Sequence, residues 1–432
     1  MAKAMGKHPY ARLGWPIGRG GSTRWVAVLA SAAAVITITA LVFSGLRALA
    51  PREPTVVIAL PMAHEAGSIG LDRSGARVIV AGRAPSRSVT ILDTSTYTII
   101  RSVQVAGGIT AAVIARRLGL AAILSDGSSR CIITLIALRD GSIMQHLAAP
   151  SGCHSAMIDE SLGWIYVLST GPVTPAAVPL GPGRLVAYDL HTGVRRITAL
   201  VGLDPWAGAI DTRTHHVFVA NLQSNTVSVI NEHSGHVVRT VAVGSQPHAV
   251  VADEQTGRVF VANGAGNIIS ANTISMLDAR NGTVLGTIPT GPLSFVSAFA
   301  VSRAQRLVVM ADGGGAVLAL DATTGAQLYR VKVAGLPGAI AIDERHGRLV
   351  VTGTGTPLAR GLHFFGHGQL SWAGENGGNG VSILATRDGR ILTTYQGSPT
   401  GPEGVVVDEG TGRVFAVNTA TNAVDILGTG SP

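Results

Sequence analysis

Histidine, glutamate and tryptophan are the residue types on which chemistry could rest in this chain, because lysine is nearly absent: beyond residue 52 only Lys332 remains. His154, Trp206, His248 and Glu403 stand apart. Each lies five residues before a turn in a recurring unit, where the other copies carry Gly67, Thr110, Val296 and Gly338. Two imidazoles and a carboxylate are a donor set for a divalent ion that activates water or polarises a substrate. An indole beside them would wall a pocket. A second group, His363, Phe364, Phe365, His367 and Trp372, falls in one insertion between Gly353 and Gly380. On a helix, the i, i+4 spacing of His363 and His367 would put both on one metal. However, Gly366 and Gly368 flank His367 and no Glu follows His363, so the zincin pattern is absent. The aromatic content points instead to a lid over a channel mouth, or to a surface for a partner or the membrane.

Cys131 and Cys153 are the two cysteines. They fall at the same end of neighbouring units, where a disulfide forms if the Cα atoms come within ~7 Å; two buried, inert thiols are the alternative. Other chemistries fail on their motifs. There is no C-x-x-C-H for haem, no G-x-S-x-G elbow and no G-x-x-x-x-G-K-[ST] phosphate loop. No cofactor is expected, except a divalent metal if the chain is an enzyme.

The elements that position these residues are written in the repeat. "HVFVAN" at His216–Asn221 returns as "RVFVANG" at Arg258–Gly264. A turn at Asp253–Gly257, a β-branched run, the alternating "NTVSVIN", the turn "EHSG" and the strand "HVVRTVAV" make up one unit of four short strands. A four-stranded repeat of about 40–45 residues is the mark of a propeller blade. The first-turn position falls at Asp72, Ala115, Asp159, Asp211, Asp253, Val301, Asp343 and Asp408. The second turn occurs seven times, and the eighth unit stops after three strands. "TVVIAL" at Thr55–Leu60 can supply the missing outer strand and close the ring. The expected fold is therefore all-β: a single propeller of four-stranded blades over residues 55–432. Eight blades are counted, with seven possible if the unit around Ala115 or Val301 is irregular.

The segments "VFVAN" at Val217–Asn221 and Val259–Asn263, "VFAVN" at Val414–Asn418 and "VSVI" at Val227–Ile230 resemble the YVTN family of propeller repeats, which includes YncE-like proteins. The resemblance covers about residues 55–428 and implies the fold rather than an activity. "LDATTGAQLY" is similar to quinoprotein propellers, but the tryptophan that ends their repeats is replaced here by Ile197, Arg239, Gly286, Tyr329 and Thr393.

The formal net charge is +8, and it is concentrated at one end. Residues 1–52 hold seven Lys/Arg and no acid, leaving 26 basic against 25 acidic residues in the rest. That near-neutral body lacks the basic footprint of nucleic-acid binding. Residues 25–46 are uncharged and long enough to cross ~30 Å of hydrocarbon. Five positive charges precede them in the tail 1–24, which places the N-terminus in the cytoplasm and the propeller outside, after a linker at 47–54. A cleavable signal ending at "ALA" (Ala48–Ala50) is the rival reading. The function expected is that of a membrane-anchored, extracytoplasmic scaffold that binds a protein or envelope ligand through its loop face without catalysis. The alternative is a metal-assisted lyase or lactonase, in which His154, His248 and Glu403, with Asn221 or Asn263 as further candidates, serve at the channel mouth.

Overall fold

The computed structural model describes the chain from Val56 to Gly428, apart from residues 62–65, 73, 83, 127–129, 171–178, 265–271, 292–295, 313, 355–363, 366–368, 371–379, 397–401 and 420. The tail, the anchor expected at 25–46, the linker, His363, His367 and Trp372 lie outside the described residues. Among the described residues no helix is long and apolar enough to cross a membrane.

The described strands form eight four-stranded antiparallel sheets and one short hairpin, Phe364–Phe365 with Gln369–Leu370. In seven sheets the strands pair in sequence order. Their first strands are Ala66–Leu71, Gly108–Ala115, Cys153–Asp159, Pro205–Asp211, Ala249–Asp253, Val296–Ser302 and Leu336–Asp343, and that of the eighth sheet is Pro402–Asp408. Each first strand packs against the first strand of the next blade, and the eighth packs against the first. The ring is closed, with eight blades, and both units of irregular sequence form regular blades.

Blade 8 takes its outer strand from Val56–Ala59, which pairs with Ala423–Leu427 in the register Val56↔Ile426 to Ala59↔Ala423. The Leu60 amide then donates to the Asn422 carbonyl at 2.7 Å. The seam is therefore hydrogen-bonded like any other blade and leaves no long free edge.

Local chemistry fixes the turns. Asp159 Oδ1 accepts from the amides of Ser161 and Leu162, and Asp211 Oδ1 accepts from those of Arg213 and Thr214. The side chain thus mimics a backbone turn. A glycine at positive φ then reverses the chain, as at Gly163 (φ 68) and Gly257 (φ 65). In blade 6 the equivalent of the turn Asp is Ser302, not Val301, because Ser302 pairs with Leu307 as Asp159 pairs with Trp164. Its hydroxyl accepts the Gln305 amide that a carboxylate would otherwise take.

Middle strands such as His216–Asn221 are buried on both faces, because each blade is covered by a neighbour on either side. Outer strands such as Val237–Ala242 are mostly exposed. Phe218, Phe260 and Phe415 fill the inter-blade layers at 0–2% exposure. The core is thus a ring of apolar layers rather than one centre.

Candidate functional site

Register defines two faces. The start of each first strand, the end of the second, the start of the third and the end of the fourth lie together, as in Cys153↔Ser169, Ser169↔Arg184 and Arg184↔Leu200. This is the entry face. The first and third hairpin turns lie on the other, the turn face.

At the entry face the first strands carry a β-bulge. Pairing skips one residue between Cys153 and Ser155, between Pro205 and Ala207, and between Pro402 and Gly404. The skipped residues are His154, Trp206 and Glu403. In blade 5, the His248 amide donates to the Ala262 carbonyl while Ala249 pairs with the same residue, so His248 is also the extra residue. In blade 6 the bulge is Ser297, one residue beyond the Val296 expected from sequence, following the shift from Val301 to Ser302. The eight bulge positions therefore lie at the entry end of the first strands, at the channel mouth.

Several of these side chains reach to the next blade. The His154 and Trp206 rings lie 5.4 Å apart, tilted by 38°, which joins blades 3 and 4. His248 Nε2 meets the Val296 carbonyl at 3.0 Å, joining blades 5 and 6, and Ser297 Oγ donates to the Pro337 carbonyl at 2.6 Å, joining 6 and 7. His248 is buried at 7% exposure, and its Nδ1 faces the Gln246 carbonyl at 3.2 Å. Burial pushes its imidazole below the ordinary histidine value, against two carbonyls that favour the cation.

Four expected residues are therefore placed as follows. His154 and Trp206 touch. His248 is engaged between blades one blade further on. Glu403 belongs to blade 8, halfway round the ring from Trp206 in blade 4. Asn221 is spent on the connection from blade 3 and on its own third strand: its Oδ1 accepts the Gly202 amide and its Nδ2 donates to Thr226 and Ser228. Asn263 Nδ2 donates likewise to Thr273 and Ser275.

Below the bulges the channel wall is bare of titratable groups. From Ser68 to Leu71, Ala111 to Ile114, Ser155 to Ile158, Ala207 to Ile210, Ala249 to Ala252, Ala298 to Val301, Ala339 to Ile342 and Gly404 to Val407, only Ser68 and Ser155 carry a polar side chain.

Cys131 and Cys153 are joined by a disulfide with Cα atoms 6.2 Å apart, stapling blades 2 and 3 on the entry face beside His154. The inert-thiol alternative is thereby removed. The insertion between Arg348–Thr354 and Gly380–Ala385 opens on the same face, and its described part is the backbone hairpin of Phe364–Phe365 with Gln369–Leu370.

Two further constellations lie on the turn face. Glu160, Glu254 and Glu344 each follow a turn Asp and accept backbone amides of the preceding blade: Arg116 and Arg117, Thr212, and Arg303 respectively. The signal is the dipeptide Asp-Glu at the first turn of blades 3, 5 and 7, which recurs in blade 8 at Asp408 and Glu409. The other is His215, Glu232 and His233 in blade 4, whose donor atoms lie within 4.8 Å of one another. His215 Nδ1 is in short hydrogen-bond contact with Glu232 Oε1, and the two imidazole rings are 4.6 Å apart. Burial raises the Glu232 pKa, opposed by the His215 hydrogen bond and reinforced by Asp159. "EHSG" at Glu232–Gly235 reads as a turn in the sequence, but its meeting with His215 does not.

No curated protein matches the chain. The family model of the outer membrane protein assembly factor BamB matches residues 270–425. Among solved structures, the computationally designed Ika8 protein is similar over 85% of this chain and 98% of its own, at 14% identity and a TM-score of 0.62. Hydrazine synthase of Kuenenia stuttgartiensis is similar over 87% of this chain and 98% of its own, at 13% identity and a TM-score of 0.53. At such identities the likeness is one of fold. The match covers the BamB type of repeat and not the YVTN family by name, and the chain is a β-propeller repeat protein.

Proposed function

We propose that the protein is a membrane-anchored, extracytoplasmic interaction scaffold, with repeats of YVTN type, that captures a protein or envelope ligand on its entry face. The observation that carries this reading is the channel wall. Acid–base or metal chemistry needs titratable groups within reach of a substrate, and the wall below the bulges has none among its described residues. The entry face, by contrast, carries the His154–Trp206 pair, the disulfide and the aromatic insertion. The BamB-type match over residues 270–425 agrees with an interaction role.

Anchoring is supported by the uncharged run 25–46 behind five positive charges. The disulfide adds to this, since such bonds persist in oxidising compartments outside the cytoplasm. The test is deletion of residues 362–379. The scaffold reading expects co-purification of the captured partner to be lost while the melting temperature is kept. Retained capture would put the binding surface elsewhere.

A further inference from the structure

We propose that blade 4 carries, on its turn face, a binding site for a divalent transition-metal ion of the zinc class, held by His215, Glu232 and His233. This site is separate from the entry face and independent of the scaffold reading.

The repeat itself shows how unusual the site is. At the residue that opens the second turn, the amide donates to a carbonyl of the first turn in seven blades: Thr94 to Ala76, Leu138 to Gly119, Leu190 to Gly163, Glu232 to His215, Ala279 to Gly257, Ala322 to Arg306 and Thr386 to Gly347. Six blades fill this buried slot with an apolar residue or threonine. Only blade 4 places an acid there, with its side chain 1% exposed. Opposite it, where four of these blades use glycine at positive φ, His215 adopts φ 56, as Arg306 does at φ 53 in blade 6, a conformation that crowds a Cβ. Blade 4 thus departs from the repeat twice, at two positions that face each other.

The chemistry of the departure suits a metal. A carboxylate oxygen and two imidazole nitrogens are the donors of open three-ligand zinc sites, with bonds of about 2.0–2.2 Å. Glu232 Oε1 already lies against His215 Nδ1 and 4.0 Å from His233 Nε2. The two histidine side chains are each 52% exposed, so they can turn toward an ion entering from solvent. The carboxylate is not satisfied by protein alone: its second oxygen, Oε2, is buried with no hydrogen-bond partner. The buried Asp159 adds negative charge nearby. A divalent cation would neutralise both and leave coordination positions open to solvent. His346 and Asp343 show the contrast: there the carboxylate is shared with Arg348, and among the described residues no third donor completes a set.

The test is zinc titration calorimetry on the purified full-length chain, with cobalt(II) absorption as a probe of imidazole and carboxylate ligation. One ion per chain is expected. Affinity should fall at least tenfold in His233→Ala, whose side chain is exposed, and in the isosteric Glu232→Gln. It should be unchanged in His216→Ala, whose ring contacts the Ala279 carbonyl instead. Uptake well below one ion per chain, or uptake that survives both His233→Ala and Glu232→Gln, would overturn the proposal and leave a hydrogen-bonded histidine–glutamate cluster.

Discussion

Replacing both cysteines, as Cys131→Ala with Cys153→Ala, removes the disulfide cross-link between blades 2 and 3 while adding no buried hydroxyl. The two residues are 22 apart in sequence and 0% and 3% exposed. The chain-entropy relation for a loop of that length gives about 11 cal/mol/K, or ~3.4 kcal/mol at 25 °C. Spread over a body of some 375 residues, whose unfolding entropy near the midpoint is about 0.8 kcal/mol/K, this is a drop of ~4 °C in melting temperature. Calorimetry of the oxidised wild type and the double variant reads the drop. Alkylation of the denatured, unreduced wild type should label no thiol. A shift below about 1 °C despite a proven bond would refute the loop-closure reasoning; two labelled thiols would refute the staple itself.

Three other outcomes follow from named contacts. Because burial lowers the His248 pKa, the unfolded chain binds the proton first, and stability present above about pH 6.5 is lost as pH falls, by up to ~1.4 kcal/mol per unit. His248→Gln should flatten that slope between pH 7.5 and 5.5 in urea titrations; an unchanged slope would assign it to other groups. Ile426→Ala, at a residue 2% exposed and paired with Val56 at the seam, should cost about 2–5 kcal/mol and expose the closing strand to protease. Unchanged protease resistance would speak against the seam. Glu254→Ala strands the Thr212 amide and hydroxyl and should cost about 1–3 kcal/mol, whereas a loss within about 0.5 kcal/mol would mean that water replaces the carboxylate.

The blades were legible because their signals are local. A β-branched run, an Asp turn and a glycine can be read without knowing the neighbouring strand, and the three-stranded last unit announced the closing strand. Blade 2 read weakly because Ala115 replaces the turn Asp, yet its turn is held by Glu160 of the next blade accepting the Arg116 and Arg117 amides. Blade 6 was read one residue early because Ser302 does with a hydroxyl what the others do with a carboxylate.

The candidate site was legible only in part. Alignment found His154, Trp206, His248 and Glu403 because they interrupt a small and apolar ring, but bulges and burial depend on partner strands. Nothing local says that His248 is buried against the Val296 carbonyl, or that Glu403 stands half a ring away from Trp206. The same holds for Glu232. A glutamate in a turn is expected in water, and this one is buried at 0% exposure behind the first turn of its blade.

The proposed capture of a partner on the entry face is tested by photo-crosslinking in the cell from single positions on each surface: Leu203 and Trp206 on the entry face, Arg280 on the turn face and Val238 on an outer strand. One discrete adduct shared by Leu203 and Trp206, and absent from Arg280 and Val238, is the predicted result. An adduct confined to Arg280 or Val238, or none from the entry face, would contradict it.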